Sequence, residues 1–374
     1  MTPSSTPSTP SSSRFRQTRL FCLAMASTPQ LAPNDPTFRN GSTAGGKHFT
    51  MSTSASPRLG GMVPGASALT AVLPTARITP NGHPKPDLRA ELRRIPNVRN
   101  AISIVSIYAQ NIGIVWIALE IHHPALYIAT FVLMGRAHAQ ILAMMHESVH
   151  RLLFTHRKFN DFAGRWLLGY FSFVNSDAYR YVHMAHHREE FGPNEPDIPL
   201  YANYPIMRDS FWRKMRRDAL GITGFKMLRD QFRHPLRKDG FGKRTQLKIL
   251  TVHALLFIAI SAVSHPAVYI VFWLIPQLTV WRVMNRLRSI AEHGGLRADD
   301  DRRVTTHSVR QHPIASFLFV PFNLGWHIAH HTDAGIPFRS LPKYHAELRK
   351  SGYVNDDYEY PNYRALWRAL RSAT

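Results

Sequence analysis

The chain of 374 residues has a single cysteine, Cys22, so it holds no disulfide and no set of thiolates for zinc or an iron–sulfur cluster. Any metal must be taken by histidine, carboxylate or water. Acids are scarce as well: 24 Asp and Glu stand against 46 Lys and Arg, for a formal charge of +22. Such an excess fits a nucleic-acid binder, but the basic residues crowd into 84–99, 151–245 and 297–310 and nearly vanish from two long stretches between them. That distribution argues against nucleic acid as a partner. The first eighty or so residues lack any apolar period and are rich in Ser, Thr, Pro and Gly, so residues 1–85 are expected to be disordered and 86–374 to form one domain. The basic run from Arg14 to Arg19, with no acid before Asp35, fits a targeting peptide but lacks a continuous apolar core. Translation starting at Met25, Met51 or Met62 is the other reading.

What the two uncharged stretches contain is length. Residues 101–121 and 125–145 are apolar runs long enough to cross a bilayer as helices, separated only by His122, His123 and Pro124. A second pair, 247–264 and 267–284, is broken at His265 and Pro266. Mean hydropathy is slightly negative only because the polar tail and loops dilute these four spans. The short turns carry no Lys or Arg, while every long connection is basic. By the positive-inside rule both hairpins enter from the cytoplasm and return to it, with both termini and all long loops on that face. The expected fold class is therefore all-α and integral to a membrane, two transmembrane hairpins under a cytoplasmic helical cap. The basic cap suits anionic membrane lipid and could dock an acidic electron donor. Two shorter apolar patches, 166–174 and 314–322, read as interfacial helices. Within the second span Arg136, Gln140, Ala143 and Glu147 share a helical face. Polar groups at that depth face a bundle interior, which makes Arg136 and Gln140 candidates for lining a substrate site.

Histidine is plentiful, 21 in all, and nine fall into a pattern. HESVH at 146–150 fits H-E-x-x-H, the zinc-protease template in which two histidines one turn apart hold the metal and the glutamate is the base. HMAHH supplies His183, His186 and His187, and HIAHH supplies His327, His330 and His331. Both read H-x-x-H-H, and positions i, i+3 and i+4 share one helical face. SIAEHGG sets His293 about two turns beyond the fourth span. Catalytic zinc takes three protein ligands and structural zinc four. Nine imidazoles are too many for one ion and about right for two. A protease would leave seven of them without a role.

These motifs resemble those of the membrane fatty acid desaturases and hydroxylases, integral non-haem di-iron enzymes. The resemblance runs from about residue 90 to 350. It rests on HESVH, HMAHH and HIAHH in that order, on the spans between them, and on NLGWHIAHHTDAGIPFRSLPKYH, which is similar to that family's N-x-x-x-H-x-x-H-H and later L-P-x-x-H. It implies two iron ions held by His146, His150, His183, His186, His187, His293, His327, His330 and His331, with O2 as co-substrate. In some members an asparagine four residues before the His293 position holds a metal-bound water; Ser289 stands there in this chain, so that role does not carry over. Glu147 is then expected to orient a ligand ring instead of activating water. Asp197, in a segment similar to the family's acidic Asp-Pro stretch, Glu292 and Asn323 are expected to brace ligands from behind. Glu292 could equally pair with Arg282, Arg286 or Arg288.

The implied activity is O2-dependent desaturation of an acyl chain or of a small aliphatic or amino-acid-like metabolite. Hydroxylation uses the same ligands and stays open, and a membrane zinc hydrolase or metal carrier is the rival from another class. AEHGG and GWHIAHH look like a bacterial subgroup that includes small-molecule tailoring enzymes such as the rhizobitoxine-biosynthesis desaturase, which implies a bacterial inner membrane. No His-Pro-Gly-Gly or Cys-x-x-Cys occurs in the chain. Electrons are thus expected from a separate ferredoxin-like or cytochrome donor.

Overall fold

A computed structural model describes residues 57–372 apart from 74, 193–194, 196 and 234–239. Among the described residues β-structure is limited to two isolated bridges, Ile78 with Pro84 and Val309 with Tyr360; the rest of the regular structure is helical. Four helices are long and apolar enough to cross a membrane.

After a short α1 (Pro86–Leu92), the first two of these are α2 (Asn97–Ile121) and α3 (Pro124–Val149). The chain turns between them because His122 takes a left-handed conformation, φ 55°, that stops α2. His123 then caps α3: its Nδ1 accepts the Ala125 N–H at 3.2 Å, and Pro124 occupies the first turn, where a missing N–H costs nothing. The same His-Pro device starts the helices at Pro266 and Pro313, where His265 and His312 accept from Ala267 and Ile314 at 3.1 and 3.2 Å.

The third long helix is α9 (Gly240–Val263), reached through α4 (Arg157–Phe162), α5 (Ser176–Arg188), α6 (Ile198–Tyr201), α7 (Arg208–Ala219) and α8 (Ile222–Arg233). The fourth, α10 (Pro266–His293), is irregular. It widens to π-helix at Ile270–Leu274, meets Pro276, breaks regular geometry at Thr279 (φ −121°, ψ −84°) and resumes as Val280–His293. All four helices run further than the apolar runs alone indicated, α10 by two and a half turns, because its last turns are amphipathic and carry buried polar residues. Burial ranks the four: 72% of the apolar window of α3 is buried, against 39% for α10 and 22% each for α2 and α9. So α3 is the central helix, and α2 and α9 leave Ile102, Val105, Ile112, Trp116, Leu255 and Ile258 exposed. Close approach of α3 and α10 requires Gly135, where a Cβ would lie 2.4 Å from Val280 Cβ.

Two expectations are corrected here. The described residues of 57–85 pack against the rest of the chain: Gly60 and Met62 donate to Leu296 O and Gly295 O at 3.1 and 2.8 Å, Leu73 donates to Ser351 O at 2.7 Å, and Ile78 is buried. Isolated apolar side chains such as Met62, Leu69 and Val72 fill grooves on the cap without any period. Residues 1–56 lie outside the described residues. The patch 166–174 is not a surface helix either. It forms π- and 3-10 turns (Ala163–Gly169, Tyr170–Ser172) packed under α3, with Leu168 and Ser172 buried. The remaining cap elements are α11 (Arg302–Thr305), α12 (Pro313–Leu318), which exposes Ile314 and Phe317, α13 (His327–Thr332), α14 (Leu341–Lys350) and α15 (Tyr363–Leu370).

Candidate metal centre

The first histidine box ends α3, where helix carbonyls run out of intrahelical partners. Asn160 Nδ2 and Arg180 Nη2 donate to Ser148 O at 2.8 and 2.7 Å, and Arg180 Nε donates to Val149 O at 2.9 Å. Arg180 belongs to α5, so the bonds that finish α3 also dock the second box against the first. Asn175 caps α5, its Oδ1 accepting from the N–H groups of Asp177 and Ala178. His293 is the last residue of α10, and α13 consists of little more than the third box.

Four elements thereby bring nine rings together. His146, His150, His183, His187 and His330 place one nitrogen each within 4.8 Å of all the others, and His186, His293 and His331 do the same in a second group. His327 joins the second group, its Nε2 3.0 Å from His293 Nε2. In the first group Nε2 of His183 lies 2.8, 2.9 and 3.0 Å from Nε2 of His146, His150 and His187, and Nε2 of His330 lies 3.1 Å from that of His187. A neutral ring nitrogen carries either one proton or one lone pair, so His183 Nε2 can hydrogen-bond only one of the three nitrogens that surround it. In the second group His331 Nε2 is buried with no partner among the described residues. Buried nitrogens that converge and lack protons to share fit a metal-ligand set.

Three of the outer nitrogens are held by oxygen. His186 Nδ1–H donates to Glu195 at 2.6 Å, His293 Nδ1–H to Thr305 O at 2.8 Å, and His331 Nδ1–H to Glu190. Glu190 is itself fixed by Arg302 at 2.9 Å and by the Thr305 hydroxyl. Fixing Nδ1–H leaves Nε2 free to bind a metal and sets ring orientation. Burial, then neighbouring rings and Arg180, holds His150 down to about 3. Burial and the crowding of rings hold His183, His187, His327, His330 and His331 well below the usual imidazole range, so these six are neutral, as ligation requires. His186 differs. Burial opposes its charge, but Glu195, with Asp197 and Glu190 nearby, outweighs it and pushes the ring up to about 9. A metal taking Nε2 displaces that proton and leaves the Nδ1–H bond intact.

Glu190 and Glu195 were not among the expected bracing residues; of those that were, Asp197 and Glu292 stand beside ligand rings, and Glu147 and Asn323 bond to backbone. Glu147 does not meet a ring: it is buried and accepts the Phe338 N–H at 3.1 Å. Asn323 also serves this segment, in a left-handed conformation with Nδ2 donating to Phe338 O at 3.1 Å. Glu292 pairs with Arg288 at 3.2 Å and lies 3.5 Å from His327 Nδ1, so it stands near His327 and not His293. Asp197 shares a group with His186 and Glu195. Arg136 donates to Gln140 Oε1 at 3.1 Å and to Phe317 O, and stacks on the Phe317 ring at 3.9 Å. Both residues are thus used in tying α3 to α12. A carboxylate close behind an H-x-x-H-H box, as in HHREE, was the available signal for Glu190.

Of the other histidines, His138 pairs with Ser172 Oγ and Trp273 O, and His253 with Tyr269 Oη and Tyr170 O, as helix-to-helix contacts. His345 pairs with Glu359 at 2.9 Å. His307 is buried and donates to Gly294 O at 2.8 Å, locking the turn after His293.

The family model described as fatty acid desaturase matches residues 122–367. The chain belongs to the fatty acid desaturase family. Among curated proteins it is similar to dihydrorhizobitoxine desaturase of Bradyrhizobium elkanii, with 26% identity over 275 residues that cover 67% of this chain and 75% of that protein. The chain is thus a desaturase-type protein with clustered histidines able to bind metal and four helices suited to a membrane.

For a member of that family the space beside the rings is polar. A cavity of about 590 Å³, its mouth included, is lined by ring residues such as His146, His186 and His327 and by Asp197, Arg288 and Glu292. A second space of about 360 Å³ adjoins it at His146, Tyr179, Asn285 and Arg288 and is otherwise apolar, lined by Leu142, Trp281, Phe319 and Leu324.

Proposed function

We propose that this chain is an O2-dependent di-iron desaturase that introduces a C=C bond into an acyl chain or a small amino-acid-like metabolite. The observation that carries the reading is the convergence of nine imidazoles into groups of five and four. His146, His150, His183, His187 and His330 would hold one iron, and His186, His293, His327 and His331 the other. Imidazole suits Zn, Cu, Fe and Ni, and the oxidation implied by the chain's family calls for one of these that changes valence. Bound iron would supply the reduction of O2 and the removal of hydrogen, with the balance R–CH2–CH2–R′ + O2 + 2e⁻ + 2H⁺ → R–CH=CH–R′ + 2H2O. The protein's own part is to aim the rings, through Glu190, Glu195 and Thr305, and to seat the substrate beside His146 and His327. The relative's printed name gives the small-molecule arm its weight.

In this reading two helical hairpins enter from the cytoplasm, and both termini and the histidine cap lie on that face of a bacterial inner membrane. The basic long connections and uncharged short turns support that orientation. The two electrons come from a separate ferredoxin-like or cytochrome donor.

Metal analysis of the purified full chain tests the reading. About two irons per chain, lost together in His187→Ala and His330→Ala, are expected; one zinc and no iron overturns it. Product analysis then separates the two oxidations, since an alcohol as sole product replaces desaturation with hydroxylation.

A further inference from the structure

Buried arginines in this protein are mostly consumed by their surroundings. Arg286 forms a two-pronged pair with Asp218, and Arg303 grips Asp301 and the Thr70 carbonyl. Arg288 is different. It sits on the last turns of α10, its side chain 16% exposed, and donates to Glu292 Oε1 at 3.2 Å and, at the limit of a hydrogen bond, to Asn285 Oδ1 at 3.4 Å. Its Nε is buried without a partner among the described residues. A guanidinium has five N–H donors in a planar fork shaped for a carboxylate, and leaving such donors buried and unpaired is costly.

Its location matters as much as its open donors. Arg288 is one of the residues shared by the polar cavity and the apolar one, and His146 is another. A group bound to Arg288 therefore lies within one side chain of the histidine rings. Asp197 lines the same polar cavity and suits an ammonium group, while Glu292 is already paired with Arg288. The adjoining apolar space takes the short hydrocarbon part.

We propose that Arg288 binds the carboxylate of a small amino acid substrate whose reacting C–H bond lies only a few bonds from that carboxylate. The proposal rests on the desaturase reading above and narrows it from acyl chains to short zwitterions. Arg288 is a specificity-determining residue in this assignment, and the double bond forms near the polar end of the substrate.

The test uses the iron-loaded full chain in lipid nanodiscs without O2, with dihydrorhizobitoxine and short straight-chain 2-amino acids as probes, each beside its carboxamide. At least one acid is expected to bind about tenfold or more tighter than its amide, as a charge-assisted pair is worth. Arg288→Gln should erase that preference with iron content unchanged, and Arg288→Lys should keep part of it. Equal binding of acid and amide, a preference that survives Arg288→Gln, or no binding of any acid at millimolar concentration overturns the proposal. If Arg288→Gln does not fold, the wild-type acid-against-amide comparison and Arg288→Lys decide alone. Failure of the wild type to hold iron would instead count against the di-iron reading.

Discussion

A metal-binding ring is only as well placed as its other nitrogen. Glu190 and Glu195 stand behind His331 and His186, and removing such a partner typically weakens metal binding by 10- to 100-fold. Glu195→Gln and Glu190→Gln are therefore expected to lose iron to a competing chelator about 10 to 100 times more readily than wild type, with helical content unchanged. Glu147 makes the opposite prediction. Because it accepts the Phe338 N–H and meets no ring, Glu147→Gln keeps an acceptor there and should retain both iron and turnover, whereas Glu147→Ala strands a buried N–H and costs about 1–3 kcal/mol in thermal unfolding. Loss of all turnover in Glu147→Gln would restore the general-base role that H-E-x-x-H suggests. At this scale eight of the nine ring positions were legible because i, i+3, i+4 spacing needs only a helix, and His293 was legible from its place beyond the fourth span. The acids behind them were not, since Glu190 reaches His331 across 141 positions of sequence.

Between residue and whole, the helix ends and crossings decide where the boxes sit. The Arg180 and Asn160 bonds to the last carbonyls of α3 couple the first box to the second. The crossing of α3 with α10 depends on Gly135: in Gly135→Ala the new Cβ meets Val280, and overpacking of this kind costs about 1–3 kcal/mol. A lower melting temperature is expected for Gly135→Ala, with recovery in the Gly135→Ala/Val280→Ala double variant, because the clash is with the Val280 side chain. No recovery would show that the backbone, whose Trp281 N lies 3.3 Å from the added Cβ, sets the limit. The four long helices were legible from apolar length alone. The amphipathic end of α10, the π-turns at 163–169 and the packed stretch after residue 57 were not, because each draws its partners from remote parts of the chain.

Taken whole, the molecule sets four apolar helices beside basic segments that carry the histidine groups able to hold metal. Because the ligand rings come from four separate elements, a metal that binds only the folded form adds stability in proportion to the logarithm of its saturation, about 4 kcal/mol at a thousandfold excess over its dissociation constant. Chelation should lower the melting temperature by several degrees, and iron should restore it. A melting temperature indifferent to chelator would mean that the rings are held by the scaffold without metal. Reporter fusions at residues 123 and 265 test the sidedness: activity of an exported reporter at both turns and a cytoplasmic reporter at the C-terminus is expected, and the reverse pattern would invert the bundle.

Composition and spacing by themselves determined the class of the protein. One cysteine removed thiolate chemistry, four apolar runs set the bundle, and three boxes with His293 named nine ligand candidates. These are local properties, carried by neighbours within a turn or two of helix. Only the tertiary structure decided how the nine gather into two groups, which acids stand behind them, that Glu147 accepts the Phe338 N–H, and that Arg288 lines the same cavity as the rings. Each of these depends on which distant segments fill the space behind a side chain, and that is settled by packing, where no periodicity along the chain reaches.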